Sequence, residues 1–134
     1  MNKTIFLTGI ILGGSAVLLG AFGSHTLKEL LNEEALETFK IGTTYQMYHA
    51  LFLLILSGIT KIQKSALEKV YFFMITGVLL FSCSLYFISM KEIHGFEISY
   101  FGIITPLGGL LMIIAWLLLG YYGFTQLEGA TRNK

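Results

Sequence analysis

Apolar residues in this chain are gathered into four long uncharged runs, Thr4–Ser24, Ile41–Thr60, Val70–Met90 and Ile98–Leu127. About 20 apolar residues at about 1.5 Å rise each are needed to cross a ~30 Å hydrocarbon core. A backbone in lipid finds no water to bond, so each run is expected to fold as a helix. The predicted fold class is an all-α membrane protein, a single four-transmembrane-helix bundle over residues 1–134 with spans at about 4–23, 42–60, 70–90 and 104–123.

The first run carries a second pattern. Gly9, Gly13, Ala16, Gly20 and Gly23 recur at alternating spacings of four and three. At ~100° per residue they share one narrow helix face, where small side chains let a neighbouring helix come close. Lys3, the apolar run and Ala21-Phe22-Gly23 otherwise mimic a secretory signal. A discarded signal gains nothing from such a row, so the segment reads as a retained span.

Thr26–Lys40 is the one stretch with soluble-helix character. Leu27, Leu30, Leu31, Ala35 and Phe39 fall on one side, while Leu36 breaks the pattern. An amphipathic segment over 26–40 is expected in the first extracytoplasmic loop, as one helix or as two short ones with Asn32 capping the second. Four glutamates against two lysines make it a poor binder of anionic lipid.

Composition agrees with the run count. Hydrophobic residues form 54% of the chain and charged residues 13%, and the mean hydropathy is +0.72. That leaves too little polar surface for a soluble globule. A net charge of +1 without a basic run argues against nucleic acid as a partner. Cys83 stands alone, which excludes an intramolecular disulfide, and within Ser82-Cys83-Ser84 it reads as a small packing residue. With four spans, Lys3, Lys61, Lys64, Lys69, Arg132 and Lys134 fall on one side, and Lys28, Lys40 and Lys91 on the other. The positive-inside rule then puts both termini in the cytoplasm.

That orientation collects the polar and helix-breaking residues at the outer half of the bundle. Gly20-Ala21-Phe22-Gly23-Ser24-His25 ends the first span, and Tyr45-Gln46-Met47-Tyr48-His49 opens the second. Phe81-Ser82-Cys83-Ser84-Leu85-Tyr86 closes the third, and Thr105-Pro106-Leu107-Gly108-Gly109 opens the fourth. The inner half is mostly Leu, Ile, Val and Phe, with Tyr71, Tyr121 and Tyr122 as expected interfacial anchors.

These four motifs, in this order and followed by Trp116, resemble the domain-of-unknown-function 423 family of bacterial proteins, which is similar to the eukaryotic transmembrane protein 256 group. Ser24 and Cys83 stand where that family usually has Ala and Gly, which are small-for-small changes. The resemblance implies a small multi-pass protein of the bacterial cytoplasmic (inner) membrane. It supplies no catalytic residues.

Read physically, His25, Tyr45, Gln46, His49, Thr105, Pro106, Gly108 and Gly109 form the candidate polar cluster. An ionisable group inside a span is costly and faces a partner. For His49 that partner is expected to be a hydroxyl on another helix, with ligand or proton handling as the sharper alternative. His25, His49 and His94 show no metal-ligand spacing, so neither metal nor haem nor any other cofactor is expected. Thr105-Pro106 reads as an N-cap and first helical position, with Ile98–Ile104 as an interfacial or re-entrant approach. A continuous helix kinked at Pro106 is the competing reading. Gly108 and Gly109 would let the first span or a ligand approach closely.

The chain has no aspartate and no carboxylate within a run, and it lacks the Walker A, Gly-x-Ser-x-Gly and His-Glu-x-x-His motifs. An enzyme is therefore not expected. The leading expectation is an accessory, assembly or structural component that meets a membrane-protein partner or a second copy through the Gly9/Gly13/Ala16/Gly20 face. The alternatives are an oligomeric small-solute transporter or channel and a His49-centred redox or ligand-binding protein.

Overall fold

The computed structural model describes residues 1–96 and 100–131, with side chains as far as Gln126. Its helices are α1 Lys3–Phe22, a π-helical turn Gly23–Leu27, α2 Lys28–Leu30, α3 Glu33–Gly58, α4 Lys64–Ser89, α5 Lys91–His94 and α6 Phe101–Thr131. Ile98, where the approach segment was expected to begin, and the tail cations Arg132 and Lys134 lie outside the described residues.

Local chemistry sets the helix ends. Asn2 Oδ1 accepts from the Ile5 amide at 3.3 Å and caps α1. Asn32 Oδ1 accepts from Ala35 at 2.8 Å and caps α3, whose first turn carries Glu33 and Glu34 against the positive end of the helix dipole. The Gln63 amide, just before α4, donates to Gln126 Oε1 of α6 at 2.7 Å. Gly95 ends α5 at φ 69°, a left-handed conformation open to glycine.

The long helices run alternately up and down. α1 packs on α3, α3 on α4, and α4 on α6. The Asn2 amide donates to Ser57 O at 2.9 Å, joining the start of α1 to the end of α3. The main core gathers Leu53, Leu56, Val70, Met74, Val78 and Ala115, and a smaller one under the π turn gathers Leu27, Leu31 and Phe39.

Among the described residues three helical stretches are long and apolar enough to cross a membrane: α1 with its continuation to Leu30, α4, and α6 as far as Gln126. α3 has the length, but Glu33, Glu34, Glu37 and Lys40 occupy its first two turns and Gln46 and His49 its middle. The outside of the bundle is greasy. Leu7, Ile11, Leu18, Ile55, Phe72, Ile103 and Leu117 are exposed, while Gln46, His49, Ser82 and Ser84 are buried. A water-soluble bundle would show the reverse.

Several expectations change. No separate amphipathic helix occupies 26–40. The π turn carries α1 into α2 as far as Leu30, the backbone turns extended at Leu31 and Asn32, and residues 33–40 are the first turns of α3. Asn32 does cap a helix, but a 26-residue one. Phe39 explains the continuity: it is buried between Gly23 and the Tyr86 ring, which holds this part of α3 in line with the bundle. The small-residue face of α1 is for the most part not free for a partner either. Gly9 meets Leu54 and Ala50, Gly13 meets Ala50, Gly23 meets Phe39 and Ala16 is buried, so α3 of the same chain occupies most of that face; Gly20 alone of the five has open space beside it. Tyr71 is turned inward, sharing a 2.9 Å hydrogen bond with Thr8.

Candidate functional site

Gln46 is the centre of the polar interior. Its position on α3 faces both α1 and α4, and it is only 5% exposed. Its Nε2 donates to Leu12 O at 3.0 Å and to Ser15 Oγ at 2.8 Å on α1. Its Oε1 accepts from the Tyr86 hydroxyl of α4 at 2.8 Å. One amide therefore ties three helices, with both N–H donors and the carbonyl engaged.

Tyr86 reaches Gln46 because Gly42, one turn back on α3, has no side chain to block its ring. A Cβ at Gly42 would lie 2.7 Å from Tyr86 Cε1. Beside this contact Ser82 Oγ donates to Gly42 O at 2.9 Å, a second α3–α4 bond. Phe39 packs on the same ring with centroids 4.9 Å apart. Glycine, serine and tyrosine here make one knot.

His49 stands apart from the knot. Its Nδ1 bonds Tyr45 O of its own helix at 2.7 Å, not the hydroxyl of a neighbour as expected. The reason is packing. Its neighbours one turn away on the same side are Tyr45, which meets Phe81 of α4, and Phe52, which meets Trp116 of α6. Phe81 and Trp116, which the other helices bring to this wall, carry no hydroxyl.

Thr105 and Pro106 lie inside α6, which already begins at Phe101. Thr105 is no N-cap. Its Oγ1 donates back to Phe101 O at 3.2 Å and shares a 2.7 Å hydrogen bond with Ser84 Oγ of α4. α6 runs on through Pro106, which lacks the N–H that would have reached the Gly102 carbonyl, so the helix is continuous here and the helix-start reading does not hold. Gly108 packs on α4 rather than on α1. A Cβ there would sit 2.5 Å from Phe81 N and 2.8 Å from Gly77 O, and one at Gly77 would sit 2.8 Å from Met112 N. Gly109, with Phe81 at 3.9 Å, has ordinary room.

The candidate residues therefore separate. Gln46 is the hub, Tyr45 and His49 line the aromatic wall, and Thr105 and Gly108 bind α6 to α4. Pro106 is exposed, and His25 is exposed on the π turn. Ser15 and Gly77 belong to these contacts but were missed. Ser15 is hidden among the small residues of α1, and Gly77 is isolated. The one visible sign for Gly77 was its spacing of seven from Ser84, matched on α6 by Gly108 and Ala115.

Phe81 of α4 touches Tyr45 with its ring and Gly108 with its backbone. Among the described residues no buried side-chain oxygen or nitrogen lacks a partner, and no three His, Cys, Asp or Glu side chains are grouped to hold a metal ion. His94, the last residue of α5, accepts from the Phe96 amide at 3.0 Å and bonds Phe87 O at 2.9 Å, closing the turn after α5.

The family model described as protein of unknown function DUF423 matches residues 19–109, from the last turn of α1 to Gly109. A UPF0382 membrane protein of Staphylococcus epidermidis is 38% identical over 120 residues, covering 87% of this chain and 92% of that one. One from Staphylococcus saprophyticus is 39% identical over 120 residues, with 87% and 93% covered. The UPF0382 membrane protein YwdK of Bacillus subtilis is 37% identical over 124 residues, with 87% and 93% covered. No solved structure matches the chain.

Proposed function

Since this chain belongs to the DUF423 family of bacterial membrane proteins, we propose that it is a four-span, non-enzymatic accessory or structural component of the cytoplasmic membrane, with both termini in the cytoplasm. α3 is the fourth span. Its 26 residues are about 39 Å long at 1.5 Å rise, and its polar middle is sheltered by α1 and α4. The lysine-rich end faces the cytoplasm, in keeping with the positive-inside rule.

The observation that carries the non-enzymatic reading is the commitment of Gln46. The most polar side chain in the bundle has its donors and its acceptor bound to Leu12, Ser15 and Tyr86, leaving none aimed at a substrate. A solute path would need polar groups left free inside the bundle, and among the described residues every buried side-chain oxygen and nitrogen has a hydrogen-bond partner. Function then belongs to the outer surface. With most of its glycine row taken by α3, α1 offers Leu7, Ile11 and Leu18 outward, and α6 offers Ile103 and Leu117.

The test places photo-crosslinkers on the outer surface at Ile11 and Leu117, with Leu53 in the core as the control. The tagged chain is then purified from native membranes in mild detergent. A defined membrane protein crosslinked at Ile11 or Leu117 but not at Leu53 is expected. Recovery of the chain alone under every mild condition, or solute flux through reconstituted protein, would overturn the reading.

A further inference from the structure

At the lysine-rich end, between the start of α1 and the α3–α4 turn, lies a concavity of 540 Å³. Asn2, Lys3, Thr4 and Lys64 line its polar part, and Ile59 and Leu67 its apolar part. The Thr8–Tyr71 hydrogen bond, about two turns further into α4, ties its two walls together. We propose that this concavity binds the phosphodiester head group of an anionic phospholipid, with the acyl chains against the apolar side.

Charge favours that occupant. Among the described residues this end holds Lys3, Lys61, Lys64 and Lys69 against Glu68 and Glu128, whereas the opposite end holds three lysines against five glutamates. Lys64 pairs with Glu68 at 3.7 Å, but both side chains are mostly exposed and such pairs exchange readily. Basic pockets between spans at a membrane surface suit lipid head groups. A free phosphate would satisfy the lysines and leave the half-buried Ile59 uncovered. A phospholipid satisfies both. The inference stands apart from the accessory role, and binding in detergent reads it without reference to sidedness.

The test uses the full chain in detergent, titrated with phosphatidylglycerol, phosphatidylcholine or inorganic phosphate. The readouts are the thermal midpoint and lipid retention by native mass spectrometry. Phosphatidylglycerol is expected to raise the midpoint and stay bound, while phosphatidylcholine and inorganic phosphate do neither. Lys3→Gln with Lys64→Gln is expected to weaken the apparent affinity about tenfold or more. Lys91→Gln, at the opposite end, leaves it unchanged. Each single variant with an unaltered lipid-free midpoint serves as the folding control. An equal response to phosphatidylcholine, an undiminished response in the lysine variants, or a phosphate response matching the lipid would each overturn the proposal.

Discussion

Tyr86 of α4 donates its hydroxyl hydrogen to Gln46 Oε1 at 2.8 Å across the edge of Gly42, whose missing side chain leaves room for the ring. Packing and hydrogen bonding are thus one feature here. Interhelical bonds of this kind contribute about 0.6 kcal/mol on average and up to about 1.7 kcal/mol. Removing the hydroxyl also strands a buried carbonyl.

Tyr86→Phe keeps the ring and deletes the donor. It is expected to lower stability by about 0.6–1.7 kcal/mol in detergent unfolding. Combined with Gln46→Leu, the two losses should be less than additive, because both remove the same bond. Strict additivity would show that the pair does not act as one contact.

Gly108→Ala forces a methyl group toward Phe81 N and Gly77 O, which are backbone atoms and cannot rotate away. Overpacking of this sort costs about 1–3 kcal/mol, to be read as a lowered thermal midpoint. Gly109→Ala, with its nearest neighbour at 3.9 Å, should fall near wild type. Equal midpoints for the two variants would refute the close α4–α6 approach.

His49→Leu and His49→Gln are both expected to stay within about 1 kcal/mol of wild type, since one own-helix bond is lost and no helix is untied. Gln46→Leu should fall further than either. A His49→Leu variant that unfolds more readily than Gln46→Leu would reveal a dependence on His49 that its bonding does not explain.

Asn32→Ala removes the cap of α3 and should cost about 1 kcal/mol. The loss is local. Hydrogen exchange should quicken in the first turns of α3, from Glu33 to Glu37, and remain slow around Leu53. Uniform exchange along α3 would contradict the cap.

Sidedness can be read with a membrane-impermeant maleimide on intact cells, in a Cys83→Ser background. Glu34→Cys is expected to label and Lys64→Cys to label only after lysis. Labelling of Lys64→Cys in intact cells would reverse the orientation.

The amino-acid sequence alone was enough to locate the long helices and to offer Asn32 as a cap. Run length, backbone satisfaction in lipid and capping are local properties, readable within a few turns of chain. It also flagged Gln46, Thr105 and Gly108 as unusual for their surroundings. Tertiary structure decided what each of them meets: Gln46 joins Ser15 and Tyr86, Thr105 joins Ser84, and Gly108 lies on Gly77. It also extended α3 back to Glu33 and gave most of the glycine face of α1 to the same chain. The physical reason is that these helices are apolar nearly all round, so no contrast between wet and dry faces marks the inner side. Partners in such a bundle are chosen by steric fit and hydrogen bonds between residues far apart in the chain, as with Gln46 and Ser15, 31 positions apart.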